Sequence, residues 1–270
     1  YRLLEEPDLL SPLAMKKVLD TDVFGKRYVY MDITESTNLE ARKLAQQGAE
    51  EGTVVVTEEQ SAGRGRLSRG WYSPFGKGIW FSIILRPEFL PSEAAKCTLM
   101  AAVALTKAFH KMGLSAAGIK WPNDILVNGR KLVGILTEMS GSMEEINYIV
   151  MGIGINVKTT QEELPEELKH IGTSLAMEGI DIERTEAFKI ILGELEQQYY
   201  EVLSNGFEGT LEEWKQLSVT LGQDIEVRAP DHTYEGVAMD LDTDGNLLVK
   251  VADGTIKRIV AGDVSIRPKK

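Results

Sequence analysis

Apolar runs separated by polar segments recur along the chain and predict a large β-sheet. Six short apolar and β-branched runs, bounded by turn-forming residues, predict strands. They cover residues 28–31, 53–57, 79–85, 125–127, 132–137 and 146–153. Asn128-Gly129 separates two of these runs and favours a tight hairpin, so part of the sheet is predicted to be antiparallel. A Rossmann fold is therefore disfavoured.

Stretches with helical spacing lie between and after these strands. Helices are predicted over residues 12–19, 37–47, 92–112, 184–203 and 210–217. Gly48 and Gly113 follow two of them and are typical of helix ends. The combination of helices with a partly antiparallel sheet predicts an α/β (α+β) fold.

The pattern changes near residue 218, after which only short strands are predicted. They cover residues 224–228, 233–241, 247–251, 256–260 and 264–266, with Asp-Gly turns at 244–245 and 253–254. Five short strands in so few residues indicate a small barrel. We therefore predict a main domain over 28–217 and a β domain over 218–270. Residues 1–27 are predicted to begin with a linker, and the first residue, Tyr1, suggests a fragment or a processed chain.

Composition and charge limit the possible functions. The 270 residues are 43% hydrophobic and 26% charged, as in ordinary globular proteins. A formal net charge of -11 disfavours a general nucleic-acid or membrane binder, so any anion site must be local. The single cysteine, Cys97, excludes an internal disulfide, and the three histidines lack the spacing of a zinc site. Without a leader or a membrane-length apolar run, a cytoplasmic location is expected.

A glycine- and arginine-rich segment at residues 63–71 reverses the local charge. Its arginines are Arg64, Arg66 and Arg69, and residues 60–86 contain five basic side chains and no acidic one. Glycine lets backbone amides approach an anion, and arginine offers forked donors to phosphate or carboxylate. The segment lacks the ending of a Walker A loop. On composition alone, an anion-binding loop and an exposed turn or RNA-contacting patch are equally favoured.

Three further segments carry candidate polar groups. Residues 120–124 (Lys-Trp-Pro-Asn-Asp) lie at the mouth of the predicted hairpin, which continues through Lys131. Lys131 alone would more often be a solvated edge residue. Residues 35–40 join a strand to a helix, where Thr37 and Glu40 fit a capping box while the free amides could also bind an anion. Residues 152–156 (Gly-Ile-Gly-Ile-Asn) suit a β-bulge or turn as well as a ligand site.

In this order, the segments resemble the signatures of the biotin protein ligases. The resemblance rests on residues 35–38, Gln60 with 63–66, 120–124, 130–136, 152–156 and 173–175, an ordered set that spans about 140 residues of the chain. It implies the mixed sheet shared with class II aminoacyl-tRNA synthetases, followed by a small SH3-like barrel. Regulatory members of this family carry an N-terminal winged-helix DNA-binding domain. Residues 1–4 resemble its end, so residues 1–27 would be a linker and the remnant of that domain.

The resemblance also implies a role for each matching residue. Biotin would contact Ser36, Thr37, Asn38, Gln60, Arg64, Gly65, Arg66, Lys131 and Gly134. The nucleotide would contact Arg69, Trp71, Lys120, Asn123, Asp124 and Asn156. Arg66, Lys120 and Lys131 would be catalytic, and Asp124 would help to place magnesium. The glycine-rich segment departs from some members at Leu67-Ser68, where they have an arginine and a glycine.

The implied activity is an ATP-dependent ligation in which biotin becomes biotinyl-5'-AMP and is then passed to a lysine of a biotin carboxyl carrier protein. ATP with Mg²⁺ and biotin would be substrates, and no tightly bound prosthetic group is implied. A homodimer and, through the N-terminal domain, an operator DNA would be further partners. The alternatives are a lipoate ligase or octanoyltransferase, a non-catalytic biotin sensor and an RNA-binding module. Lys120 and Lys131 favour catalysis, while the net charge disfavours RNA.

Overall fold

Seven strands form the main sheet, in the order β1-β2-β3-β7-β6-β5-β4. The structure is a computed structural model that describes residues 8–228 and 232–266. The strands are β1 (Tyr28–Thr34), β2 (Val54–Gln60), β3 (Gly78–Leu85), β4 (Ala117–Lys120), β5 (Asp124–Val127), β6 (Arg130–Gly141) and β7 (Ile146–Asn156). β1 and β2 are parallel, and the other neighbouring pairs are antiparallel. The predicted mixed sheet is confirmed.

Helices cover both faces of this sheet. They are α1 (Pro12–Val18), α2 (Thr37–Gln46), α3 (Lys96–Lys111), α4 (Arg184–Asn205) and α5 (Glu208–Leu217). Successive side chains of a strand point to opposite faces. Accordingly, Val54 and Val56 join the large core that includes α3 and α4, whereas Val55 packs with Ala41 and Ala45 of α2. The continuous apolar run of β3 is buried along its whole length because both faces are covered.

A second, five-stranded antiparallel sheet follows α5. Its strands are β8 (Asp224–Arg228), β9 (Thr233–Leu241), β10 (Leu247–Val251), β11 (Ile256–Ile259) and β12 (Asp263–Ile266). They pair in the order β11-β10-β9-β8-β12. The five strands confirm the change of pattern predicted after residue 217. Ile225 and Val249 belong to the same continuous core as the helices of the main sheet, so the second sheet packs directly against the first part of the chain.

The segment that precedes β1 packs onto the main core. Leu10, Met15 and Phe24 are almost completely buried there. The Tyr28 hydroxyl donates a hydrogen bond to the Leu10 carbonyl, 2.7 Å away. Residues 8–27 therefore extend the packed structure, whereas the resemblance noted at residues 1–4 lies outside the described residues. In the part of the chain that is described, none of the helices has the length and apolar character required to span a bilayer.

Candidate active site

One cavity of 440 Å³ lies on the α2 face of the sheet and brings together every predicted site residue. Its lining includes Ser36, Thr37, Asn38, Gln60, Arg64, Gly65, Arg66, Arg69, Trp71, Lys120, Asn123, Asp124, Lys131, Gly134 and Asn156. Gly152 and Gly154, from the candidate segment 152–156, also line it, as do Tyr72, Ile171 and Asp263, which no sequence pattern singled out. The volume is within the usual range of small-molecule sites.

The start of α2 forms a polar corner of this cavity. Ser36 is the residue before the first helical turn, but its side chain makes no capping hydrogen bond. Glu40 pairs with Lys43 at 2.8 Å, so the predicted capping box between Thr37 and Glu40 is wrong. Instead, the Thr37 backbone N–H donates to Gln60 Oε1 at 3.0 Å. Gln60, the last residue of β2, thus fixes the start of α2, because its side-chain amide oxygen accepts from one of the free backbone N–H groups of the first helical turn.

Buried hydrogen bonds hold the rest of the polar corner. The Ser82 hydroxyl, on β3, lies 2.8 Å from Thr37 Oγ1 and donates to Asn38 Oδ1 at 2.6 Å. Asn38 Nδ2 donates to the carboxylate of Glu138 at 2.9 Å. Ser36, Thr37, Asn38 and Ser82 are all buried. Because the orientations of Thr37, Asn38 and Ser82 are set by these partners, the corner presents fixed donors and acceptors at these three residues.

Glycines form the floor of the cavity. A Cβ atom at Gly152 would lie 1.9 Å from Asn38 Oδ1, and one at Gly154 would lie 2.3 Å from Trp71 Nε1. A Cβ atom at Gly134 would lie 2.8 Å from the Trp71 ring. Pairing with β3 stays regular from Gly78↔Asn156 to Leu85↔Ile149, so the predicted bulge or turn at 152–156 is wrong. The glycines are needed for close approach within a regular strand.

Two lysines and an aspartate converge beside this floor. The Asp124 carboxylate lies 2.7 Å from Lys131 Nζ and 3.8 Å from Lys120 Nζ. β4 and β5 place Lys120 opposite Asp124, and Asp124 in turn lies opposite Gly134 on β6. Lys131 Nζ also lies 5.1 Å from the centre of the Trp71 ring. Lys131 is thus a partly buried member of a charge cluster, with a side chain that is 35% exposed, and the solvated-edge interpretation is wrong.

Burial alters the acid–base behaviour of Lys120. Its side chain is 22% exposed. Desolvation lowers the pKa of its ammonium group below the usual value, the neighbouring Asp124 opposes this shift, and Lys131 adds to it. A negatively charged ligand in the cavity would favour the charged form of Lys120.

The glycine- and arginine-rich segment closes one side of the cavity. Arg64 and Gly70 form an antiparallel bridge, and the Gly65 N–H donates to the Arg69 carbonyl at 2.7 Å. Arg66 Nη1 donates to Asn123 Oδ1 at 3.1 Å. The Arg64 side chain is exposed at the rim. The segment therefore lines the cavity, which favours the anion-binding interpretation over the exposed turn or RNA-contacting patch.

The second sheet also reaches this segment. Arg66 Nη2 donates to the Gly262 carbonyl at 3.4 Å, and Arg69 pairs with the carboxylate of Asp263 at 2.5 Å. No sequence pattern indicates Asp263, because its approach to the cavity depends on how the two sheets pack.

Residues 171–173 pair with the start of β6 next to the lysines. The Lys131 N–H donates to the Ile171 carbonyl at 2.7 Å, and the Thr173 N–H donates to the Lys131 carbonyl at 2.9 Å. Asn156 Nδ2 donates to the Thr173 carbonyl at 2.9 Å. Backbone groups of Thr173 thus connect the Thr-Ser-Leu motif to Lys131 and Asn156. It also brings the apolar side chains of Leu164, Leu168 and Ile171 to the cavity wall.

Comparisons with known proteins agree with this architecture. Residues 30–156 match the model of the biotin/lipoate A/B protein ligase family, and residues 220–267 match that of the biotin protein ligase C terminal domain. The chain is 39% identical over 267 residues to the bifunctional ligase/repressor BirA of Bacillus subtilis. The aligned region covers 98% of this chain and 82% of that protein. It is 32% identical over 238 residues to the biotin--[acetyl-CoA-carboxylase] ligase of Mycobacterium tuberculosis, with 86% and 85% of the two chains covered.

A solved structure gives the same result for the fold. The biotin protein ligase from Aquifex aeolicus in complex with biotin and ATP superposes with a TM-score of 0.76 at 26% identity, over 90% of this chain and 100% of that chain. Together with the identities to BirA and to the mycobacterial enzyme over most of both chains, this shows that the chain belongs to the biotin protein ligase family.

Proposed function

We propose that the protein joins biotin to ATP as biotinyl-5'-AMP, with release of pyrophosphate, and then transfers the biotinyl group to a lysine of a biotin carboxyl carrier protein. The observation that carries this proposal is one 440 Å³ cavity in which a neutral polar corner adjoins clustered lysine and arginine side chains. The relative from Aquifex aeolicus, whose structure contains biotin and ATP, supports both ligands.

We expect biotin to bind with its ring in the polar corner. Its bicyclic ring carries a ureido group, which both donates and accepts hydrogen bonds, and Ser36, Thr37, Asn38 and Gln60 offer both functions. Gly134 leaves room for the flat Trp71 ring beside the valeryl chain. Lys131 lies farther along the same floor, where the carboxylate end would reach it.

The lysines and Arg66 stabilise the first step. A carboxylate oxygen of biotin forms a bond to the α-phosphorus of ATP, while the bond from that phosphorus to pyrophosphate breaks and the electron pair leaves with pyrophosphate. Two anions must approach each other, so fixed positive charge is the chief requirement. Lys131, Lys120 and Arg66 supply it. Arg69, Trp71, Asn123, Asp124 and Asn156 line the nucleotide side, and Arg64 and Gly65 complete the covering segment.

Magnesium would enter with the phosphates of ATP. The described residues contain no cluster of three or more side chains suited to hold a metal ion. Asp124 offers a single carboxylate, which fits a Mg²⁺ ion that keeps most of its ligands from phosphate and water. When bound, the ion would neutralise the charge on the departing pyrophosphate. We assign Asp124 as its protein contact.

The second step needs shelter from water. The lysine amine of the carrier protein attacks the acyl carbonyl of the adenylate, an amide bond forms, and AMP leaves. Hydrolysis competes with this transfer, so the glycine- and arginine-rich segment must cover the intermediate until the carrier docks. No covalent bond to the enzyme is required, and no prosthetic group takes part.

Several wider features stay predictions. These are the domain boundaries at residues 28–217 and 218–270, the remnant of a winged-helix domain within 1–27, the homodimer, operator binding through that domain, and the cytoplasmic location. The bifunctional ligase/repressor relatives are consistent with DNA binding. The 32% identity to a mycobacterial protein named only as a biotin ligase supports the ligase activity without a repressor role.

A test of this function compares three acids as substrates. Calorimetry with biotin, lipoate and octanoate gives the binding preference, and acid-dependent exchange of labelled pyrophosphate into ATP reports adenylation. We expect binding and exchange with biotin alone. Exchange with lipoate or octanoate would favour the alternative ligases, and biotin binding without exchange would favour a non-catalytic sensor.

A further inference from the structure

Two arginines of the glycine- and arginine-rich segment are anchored by one short stretch of the second sheet. Arg66 Nη2 donates to the Gly262 carbonyl at 3.4 Å, and Arg69 pairs with Asp263 at 2.5 Å. Gly262 and Asp263 are adjacent in the chain, and Gly262 lies 196 residues beyond Arg66. We call residues 262–263 the anchor. Both arginines therefore depend on the position of β12.

The anchor is part of the cavity wall. Asp263 lines the cavity together with Arg66, Arg69 and Lys120. Its carboxylate is close enough to Lys120 to favour the charged form of that lysine. A surface ion pair far from the cavity would have no such neighbours. The carboxylate thus acts on the same cationic groups that the proposed reaction uses.

The strand β12 directs this carboxylate toward Arg69. β12 pairs with β8 from Asp263↔Arg228 to Ile266↔Ile225, which fixes the direction of the side chains at the start of the strand. Val264, the next residue, is buried in the core. Because side chains alternate along a strand, burial of Val264 turns Asp263 outward, toward the segment.

We propose that Asp263 is a positioning residue that holds the glycine- and arginine-rich segment over the reaction intermediate. The inference rests on the proposed function. The carboxylate fixes Arg69, the Gly262 carbonyl fixes Arg66, and the covered cavity retains the acyl-adenylate. Loss of the carboxylate frees Arg69 and lets the segment open, so the intermediate escapes or is hydrolysed before the carrier arrives.

The Arg69 side chain is 70% exposed and that of Asp263 is 25% exposed. This exposure limits how much the ion pair contributes to retention of the adenylate. Exposed ion pairs contribute modestly, so D263N should raise the rate of adenylate release about two- to fivefold. Biotin affinity without ATP should change less than adenylate release, because the polar corner does not contact the anchor. D263E should restore retention in part, since a carboxylate remains.

The experiment measures release of preformed biotinyl-5'-adenylate in single-turnover assays of the wild type, D263N and D263E. D224N is the matched control, because Asp224 is an exposed acid on the neighbouring strand β8. Release should be unchanged in D224N. The effect of D263N should vanish in the R69A background and should shrink at about 1 M salt, where screening acts within about 3 Å.

The outcomes separate this inference from the proposed function. Absence of biotin-dependent pyrophosphate exchange in the wild type would overturn the proposed function. If the wild type exchanges normally, unchanged release in D263N would overturn the anchor alone. An equal loss of adenylate retention in D263E and D263N would also overturn it, because Asp263 would then act through its packing and not through its charge. Thermal unfolding of each variant shows that the compared proteins are folded.

Discussion

Lys131 is the single side chain on which the proposed adenylation depends most. Its ammonium group lies 2.7 Å from Asp124 and faces the cavity. We expect K131A to lower the rate of biotin-dependent pyrophosphate exchange about 10²- to 10³-fold, as for the loss of one fixed donor at a transition state. The control is K43A, because Lys43 is 62% exposed on the outer surface of α2. Exchange at the wild-type rate in K131A would remove Lys131 from its assigned role.

Lys120 should make nucleotide binding depend on pH. Burial lowers the pKa of its ammonium group, so the free protein loses this charge at a lower pH than an exposed lysine would. A bound polyphosphate favours the charged form and so raises the pKa again. Binding therefore takes up a proton when the pH exceeds the lowered pKa, and affinity falls as the pH rises through it.

Calorimetry with ATP in buffers of different ionisation enthalpy measures this proton uptake. K120R is the matched variant, because arginine stays charged over the accessible pH range and keeps the positive group. We expect the proton uptake and the alkaline loss of affinity to be smaller in K120R. The same proton uptake in K120R and wild type would assign the titration to another group.

The glycine floor is the feature of the strands that the site requires. In G154A the added Cβ atom would lie 2.3 Å from Trp71 Nε1, so the indole must leave its place above β7. We expect at least a tenfold loss of biotin affinity with the sheet intact. G193A is the contrast, since nothing lies within 4 Å of a Cβ atom at this position of α4.

Replacing a glycine inside a helix should stabilise it. We expect G193A to raise the free energy of unfolding by about 0.5–1 kcal/mol without any change in ligand affinity. Urea unfolding and calorimetry with biotin, each carried out on G154A and G193A, test the two predictions. Normal affinity in G154A would show that Trp71 can move without consequence for the site.

At the scale of elements, sequence patterns located most of the fold. The Asn128-Gly129 hairpin forms as predicted, with φ angles of 51° and 80°. The strand β4 was missed because its four residues, Ala117–Lys120, are too short to show alternation. The capping box failed since Gln60, distant in sequence, supplies the acceptor that Thr37 needs. Local patterns cannot encode such a tertiary partner.

The lining of the candidate site was predicted more fully than the fold details because its residues followed from the resemblance of the ordered motifs to the biotin protein ligases. Each predicted site residue lines the cavity. What the motifs could not give was the contribution of the second sheet, Asp263, and the wall formed by Ile171. Both reach the cavity through packing between parts of the chain that are far apart in sequence.

At the scale of the whole molecule, a buried arginine joins four parts of the structure. Arg184, at the start of α4, is completely buried and pairs with the equally buried Glu58 of β2 at 2.7 Å. Its Nη1 donates to the Gly78 carbonyl of β3 at 2.9 Å. The other Glu58 oxygen accepts from the Leu10 N–H at 2.8 Å. The N-terminal segment, two strands and a helix therefore share one charged network.

Removing one partner from this network should cost more than removing both. R184M leaves the Glu58 carboxylate buried without its cation, so we expect the free energy of unfolding to fall by about 3–5 kcal/mol. E58Q/R184M carries no buried charge at the pair, and we expect it to be more stable than R184M alone. Urea unfolding of the two single variants and the double variant measures the coupling. Additive effects would mean that Arg184 and Glu58 stabilise the fold independently, and the N-terminal segment would then be held by its apolar contacts at Leu10 and Met15.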